Sequence, residues 1–170
     1  MDTQDTTKVG QLERKTQDRI VALFRDRLGY DYLGNFEERE ENNNVEEVYL
    51  RPFLLRAGHS ETLISKAIEK LKKCTNRPQM SLYDLNKETY SLLRYGAKEH
   101  EQLGEHEQNV QFIDWENPEN NHFAIAEEVT IKGNRTKRPD IVLYVNGIAV
   151  GIIELKRSTV SVSEGIRQNI

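Results

Sequence analysis

The sequence predicts a mixed α/β fold of the α+β kind, with a largely helical half followed by a sheet core. Two observations carry this. Apolar residues recur at helical spacing through several segments before residue 98, and from Val110 onward the apolar runs become short, alternating or rich in β-branched residues. A third fixes one strand connection: Asn146-Gly147 separates Ile141 to Val145 from Ile148 to Leu155, and that dipeptide is a strong two-residue hairpin signal.

The elements follow in order. The first ten residues are polar and are expected to be disordered, leaving 11–170 as a single domain with a helical part over about 11–98 and a sheet core over about 110–170. Leu12, Ile20, Leu23, Phe24 and Leu28 space a helix over 11–28 that stops at Gly29. Tyr30 to Gly34 reads as a turn or short extended piece, and the charge-rich run from Glu37 to Glu47, with Asn42-Asn43-Asn44, as a loop. Helices are predicted over Val45 to Ala57 and Glu61 to Cys74. In the second, Ser60 is the N-cap and Leu63, Ile64, Ala67, Ile68 and Leu71 form the buried stripe. His59 reads as a turn residue, since no second His or Cys stands at metal spacing. A third helix covers Leu82 to Ala97, where Met80, Tyr83, Tyr90 and Tyr95 are expected to pack. Strands are predicted over Val110 to Trp115, His122 to Ile131, Ile141 to Val145 and Ile148 to Leu155, and a new helix from Ser161. Apolar residues on both faces of the last two strands imply central strands covered on both sides.

Composition narrows the function classes. No run approaches the ~20 apolar residues of a membrane helix. The start, Met1-Asp2-Thr3-Gln4-Asp5, is no secretory signal, and a lone Cys74 demands no oxidising compartment, so the cytoplasm is the expected location. The net charge of −4 is unevenly spread. Residues 99–128 hold nine carboxylates and no Lys or Arg, whereas Lys132, Arg135, Lys137 and Arg138 cluster just before Asp140. A local basic surface is what a polyanion meets; a solvated loop would show the same cluster.

Pro139-Asp140 is followed, after thirteen intervening residues, by Glu154-Leu155-Lys156. Glu154 and Lys156 fall on one face of a strand, with Ile153 and Leu155 on the other. Two converging carboxylates make a hard-oxygen site suited to Mg²⁺, and an adjacent Lys can steady the attacking water or the charge building on a phosphate. The same pattern also describes a surface Asp and a Glu–Lys pair at a strand end. Geometry adds a condition. A two-residue loop sets Val145 opposite Ile148 and Asp140 opposite Ile153, which turns Asp140 away from Glu154. The site therefore needs a three-residue loop or a β-bulge to shift the register by one.

The run from Thr136 to Gly147, then Glu154 to Ser158 and Ser163 to Asn169, resembles the N-terminal region of restriction (HsdR-type) subunits of type I restriction enzymes. Glu13 to Gln17 leading into Leu28 to Gly34 is similar to that family's opening helix. Asp114 to Pro118 and Ala124 to Val129 are similar to it as well, so the resemblance spans nearly the whole chain.

The resemblance implies a PD-(D/E)xK restriction-endonuclease-like core, a mixed sheet with flanking helices and a helical insertion. It implies Mg²⁺ held by Asp140, Glu154 and the backbone carbonyl of Leu155, with Lys156 as the catalytic lysine. Gln168 matches a family glutamine that follows the lysine, and Glu13 is a candidate extra acid from the first helix. Phosphate contacts are expected from Lys132, Arg135, Lys137, Arg138 and Arg157. The implied function is non-specific cleavage of foreign, unmethylated DNA within a larger ATP-dependent complex that includes modification and specificity subunits. No phosphate-loop motif occurs, so ATP binding is expected only of a translocase following this domain in the full-length subunit. The alternative is a noncatalytic DNA-contact or subunit-docking module.

Overall fold

The computed structural model describes residues 14–74, 77, 79–102, 104–131 and 136–155. They fall into two compact units, one from Met1–Asn44, Phe123–Tyr144 and Ala149–Ile170, the other from Val45–His122 and Val145–Ile148.

The first unit holds a helix and a mixed sheet. Helix α1 is α-helical over 14–22 and loosens into a π turn over Leu23–Arg27, closed by Leu28 N–H donating to the Leu23 carbonyl at 3.1 Å. It ends at Gly29, as its spacing predicts. Strand β1 (Asp31–Asn35) runs parallel to β4 (Phe123–Glu127), with Asp31 opposite Ala124 and a register shift between Tyr32 and Asn35. Strands β5 (Ile141–Val145) and β6 (Ile148–Ile153) complete the order β1-β4-β5-β6. Glu128 N–H donates to the Asp140 carbonyl and Asn146 N–H to that of His122, so β4 and β5 are antiparallel. Parallel and antiparallel neighbours in one sheet confirm the mixed α/β class.

Both faces of this sheet are apolar. Ala124, Ala126, Val142 and Tyr144 pack with Phe36 and Val129 on one side. Ile125 and Ile141 pack with Val21 on the other, joined by Ile20, Phe24 and Leu143. The alternation of neighbouring residues between the two clusters is what strand geometry dictates.

The β5–β6 connection is a two-residue loop. Asn146 and Gly147 have φ of 50° and 80°, the left-handed pair that a type I′ turn requires. The three-residue loop is therefore ruled out, and β6 is an edge strand rather than a covered central one: Ala149, Gly151 and Ile153 are half-buried while Val150 and Ile152 are exposed. Ala149 packs with the Tyr144 cluster, whereas Ile153 packs with the Ile141 cluster. A Cβ on Gly151 would lie 3.6 Å from a methyl of Leu143, which belongs to the Ile141 side.

The second unit is built on α2 (Glu47–Arg56), α3 (Glu61–Cys74) and α4 (Leu82–Tyr95), with a small antiparallel pair of β2 (Ala97–Glu99) and β3 (Gln108–Val110). In α3 every residue of the expected stripe is buried, and the Ser60 hydroxyl accepts from Leu63 N–H at 3.3 Å. Several expectations need correction. Helix α4 ends at Tyr95, and its tyrosines are not packed: Tyr83, Tyr90 and Tyr95 are 73, 63 and 65% exposed. The strand expected over 110–115 stops at Val110, because Asp114 and Asn121 turn the chain. Asp114 accepts from the amides of Glu116 and Asn117, and Asn121 bonds both the amide and the carbonyl of Asp114. The strand expected over 122–131 ends at Glu127, where Glu128 takes a φ of 51°. The last strand ends at Ile153 rather than Leu155. The expected disorder of 1–10 and the helix from Ser161 lie outside the described residues.

Asn146, fully buried, ties this unit together. Its side-chain amide donates to the Phe112 carbonyl at 2.9 Å and to Asn121 Oδ1 at 2.8 Å, and its oxygen accepts from His122 N–H at 2.8 Å. Gly147 is confined as tightly, since a Cβ there would stand 2.4 Å from the Glu46 carbonyl oxygen. Asn146→Ala removes three hydrogen bonds, leaving the Phe112 carbonyl and the His122 N–H without that partner while Asn121 Oδ1 keeps the Asp114 N–H. It also places alanine at a positive φ, so unfolding in urea should show a loss of about 3 kcal/mol. A loss below ~1 kcal/mol would mean the network is not structural.

Candidate functional site

The site is assembled where strands stop. Asp140 lies one residue before β5, and Glu154 and Leu155 follow β6. Asp140 Oδ2 accepts from the Leu155 backbone N–H at 2.5 Å, so this carboxylate sits at the peptide joining Glu154 to Leu155. A bond to a charged acceptor is of the stronger kind. Both acids are half-buried, and Glu154 Oε2 is shielded from solvent. Both acids lie outside their strands, so the alternation of the ladder does not fix where they face; the bond to the Leu155 amide brings the Asp140 carboxylate to the segment that carries Glu154.

A second tier of polar residues, not singled out by sequence reasoning, surrounds Asp140. Gln17 of α1 is 6% exposed, and its amide donates to Glu128 Oε1 at 3.0 Å and to the Asp140 carbonyl at 3.3 Å. Glu128 holds the same carbonyl through its own N–H at 3.0 Å. The left-handed backbone of Glu128 is uncommon outside glycine and is kept only where surroundings enforce it. Glu127, 3% exposed, accepts from the Tyr32 hydroxyl at 2.6 Å and pairs with Arg14 at 3.4 Å. The signal for these groups was present: two acids close an apolar strand at Glu127-Glu128, and a buried charge demands partners.

Of the expected basic residues, Arg138 is committed to carboxylates, pairing with Glu128 at 3.0 Å and with Glu37. Lys137 forms an isolated antiparallel bridge with Ile131. Glu13, Lys132, Arg135, Lys156, Arg157 and Gln168 lie outside the described residues. Among those described, no three His, Cys, Asp or Glu gather into a metal cage, and no helix is long and apolar enough to cross a membrane.

The family model for the type I restriction enzyme R protein N terminus matches residues 10–170. The chain belongs to this family. Among relatives of the type I restriction R-protein N-terminal domain is a proposed type I restriction enzyme MjaVIIIP endonuclease subunit of Methanocaldococcus jannaschii. It is 31% identical over 137 residues, covering 78% of this chain and 13% of that protein. A proposed MjaIXP endonuclease subunit from the same organism is 29% identical over 141 residues, covering 76% of this chain and 14% of its own length. The chain therefore spans a small part of the relatives it matches. No solved structure matches it.

Burial, reinforced by the bond to Glu127, pushes the Tyr32 phenol up to about 12. A raised acid constant means the protonated form is favoured by folding, so this contribution is complete below pH 10 and is lost as pH rises toward 12. Ultraviolet difference titration of the native chain against Tyr32→Phe should show one late phenol. A phenol ionising near 10 that Tyr32→Phe removes would contradict the Tyr32–Glu127 bond.

Proposed function

We propose that this domain is the metal-dependent endonuclease of a type I restriction system, with a PD-(D/E)xK site at Asp140, Glu154 and Lys156. The observation that carries the reading is the Asp140–Leu155 bond, which brings the acid at the start of β5 to the acid-x-Lys segment after β6. The family match and the endonuclease naming of its relatives supply the reaction class.

The donor set fits a hard divalent cation. Asp140, Glu154 and the Leu155 carbonyl offer oxygen only, the kind of ligand Mg²⁺ prefers. When bound, Mg²⁺ would acidify a water and neutralise charge on the scissile phosphate. The protein's own part is to aim these oxygens. Gln17 and Glu128 hold the Asp140 carbonyl, and the Leu155 amide holds its carboxylate. Lys156 would orient the attacking water or stabilise the phosphorane oxygens. Gln168 would orient the site or touch DNA, and Glu13 would be an additional acid from the first helix. Lys132, Arg135, Lys137 and Arg157 would meet phosphates, with Arg138 contributing less because Glu128 and Glu37 already hold it. Cleavage would be sequence-nonspecific, in the cytoplasm, on foreign unmethylated DNA, within a complex whose ATP-driven motor and partner subunits lie elsewhere.

Nicking of supercoiled DNA with Mg²⁺ is the test. Asp140→Ala and Lys156→Ala should each lower the rate by at least about a hundredfold, and a chelator should abolish it. Undiminished nicking in both variants would remove the catalytic assignment and leave a DNA-contact or docking module.

A further inference from the structure

Helix α4 buries only Leu92, and its exposed side is patterned. Tyr83, Lys87, Tyr90 and Arg94 follow at i, i+4, i+7 and i+11, which places all four within about 60° of arc along some 16 Å of helix. The acids of this helix are already engaged, Asp84 with the Ser81 hydroxyl and Glu88 with Arg77 at 3.0 Å. Lys87 and Arg94 have no carboxylate partner among the described residues.

The stripe leads into a cleft of about 620 Å³ whose lining includes Arg94, Gln111 and Trp115 together with the acids Asp114 and Glu116. The Trp115 indole N–H donates to the Leu93 carbonyl at 2.9 Å, which pins a ring that stays 47% exposed. The Arg94 guanidinium lies 5.2 Å from its centroid. Gln111 Nε2 donates to the Tyr95 carbonyl at 3.4 Å, and this fixes which end of the amide is oxygen. Gln111 Oε1 is shielded from solvent and meets no hydrogen-bond donor among the described residues. A buried acceptor without a donor is costly, and a ligand N–H would relieve it. Asp114 is held in place by the amides of Glu116 and Asn117 and the side chain of Asn120, so its charge is fixed beside Trp115 and phosphates are left to Lys87 and Arg94.

We propose that this face of α4 and the Trp115 cleft bind single-stranded polynucleotide. Tyr83, Tyr90 and Trp115 stack on bases, Lys87 and Arg94 meet phosphates, and Gln111 Oε1 accepts from an N–H of one base. Aromatic platforms interleaved with cations suit unstacked bases, whose faces a duplex hides. The site lies within the second unit, uses no residue of the Asp140 centre and needs no metal.

The test uses the whole chain in chelator-containing buffer at low salt, so that cleavage cannot occur and failure of the nuclease reading leaves the result intact. A fluorescein-labelled 15-nucleotide DNA of mixed sequence is titrated by anisotropy as a single strand and as a duplex, while Trp115, the single tryptophan, reports by its emission. The single strand should bind at least tenfold more tightly than the duplex and quench Trp115. Tyr83→Ala with Tyr90→Ala should weaken single-strand binding at least tenfold with unchanged circular dichroism, in line with a base–aromatic stack worth about 1–3 kcal/mol. Lys87→Glu should also weaken it, with a smaller salt dependence. Equal affinity for both forms, unaltered binding by the double variant, or binding without Trp115 quenching would overturn the proposal. A double variant that changes only the sedimentation of the chain would mark the face as a protein contact instead.

Discussion

One buried side chain, Asn146, sets the terms for the hairpin that ends in the candidate site. It occupies a left-handed position in a two-residue loop, with Gly147 pressed against the Glu46 carbonyl. Its amide is spent on Phe112, Asn121 and His122 rather than on water. A turn held this way can have neither an extra residue nor another register at its start, because either would leave several buried polar groups without partners. Strands β5 and β6 must therefore leave the loop in one pairing, with Val145 across from Ile148.

That pairing alone would aim Asp140 and Glu154 to opposite faces. Both acids, however, lie outside the strands: Asp140 precedes β5 and Glu154 follows β6, so neither is held to the alternation of the ladder. The Asp140 carboxylate then reaches the Leu155 amide. Gln17 and a conformationally strained Glu128 grip the Asp140 carbonyl from behind, an arrangement that trades local strain for position.

Much of the fold was legible because it rests on local rules. The α3 stripe, the Ser60 cap, the Gly29 stop and the Asn146-Gly147 turn each depend on residues within a few positions of one another. What escaped depends on distant partners. Phe112 and Ile113 read as strand, yet the chain turns there because Asn121 captures the Asp114 backbone. Tyr83 and Tyr90 read as packing because aromatic residues usually are buried, but α4 offers them nothing to pack on. In the candidate site, Asp140 and Glu154 could be named from the chain. Gln17, Glu128 and the Tyr32–Glu127–Arg14 cluster could not, since only folding brings α1 and β1 beside the end of β4.

The central claim is that Asp140, Glu154 and the Leu155 carbonyl converge on one divalent cation. A crystal of the chain soaked in Mn²⁺ tests it most directly through anomalous scattering. The account predicts a single strong peak about 2.0–2.2 Å from oxygens of all three residues, the range of hard-oxygen coordination for a small divalent ion. A map with the two carboxylates on opposite faces of β5 and β6 and no peak between them would contradict it.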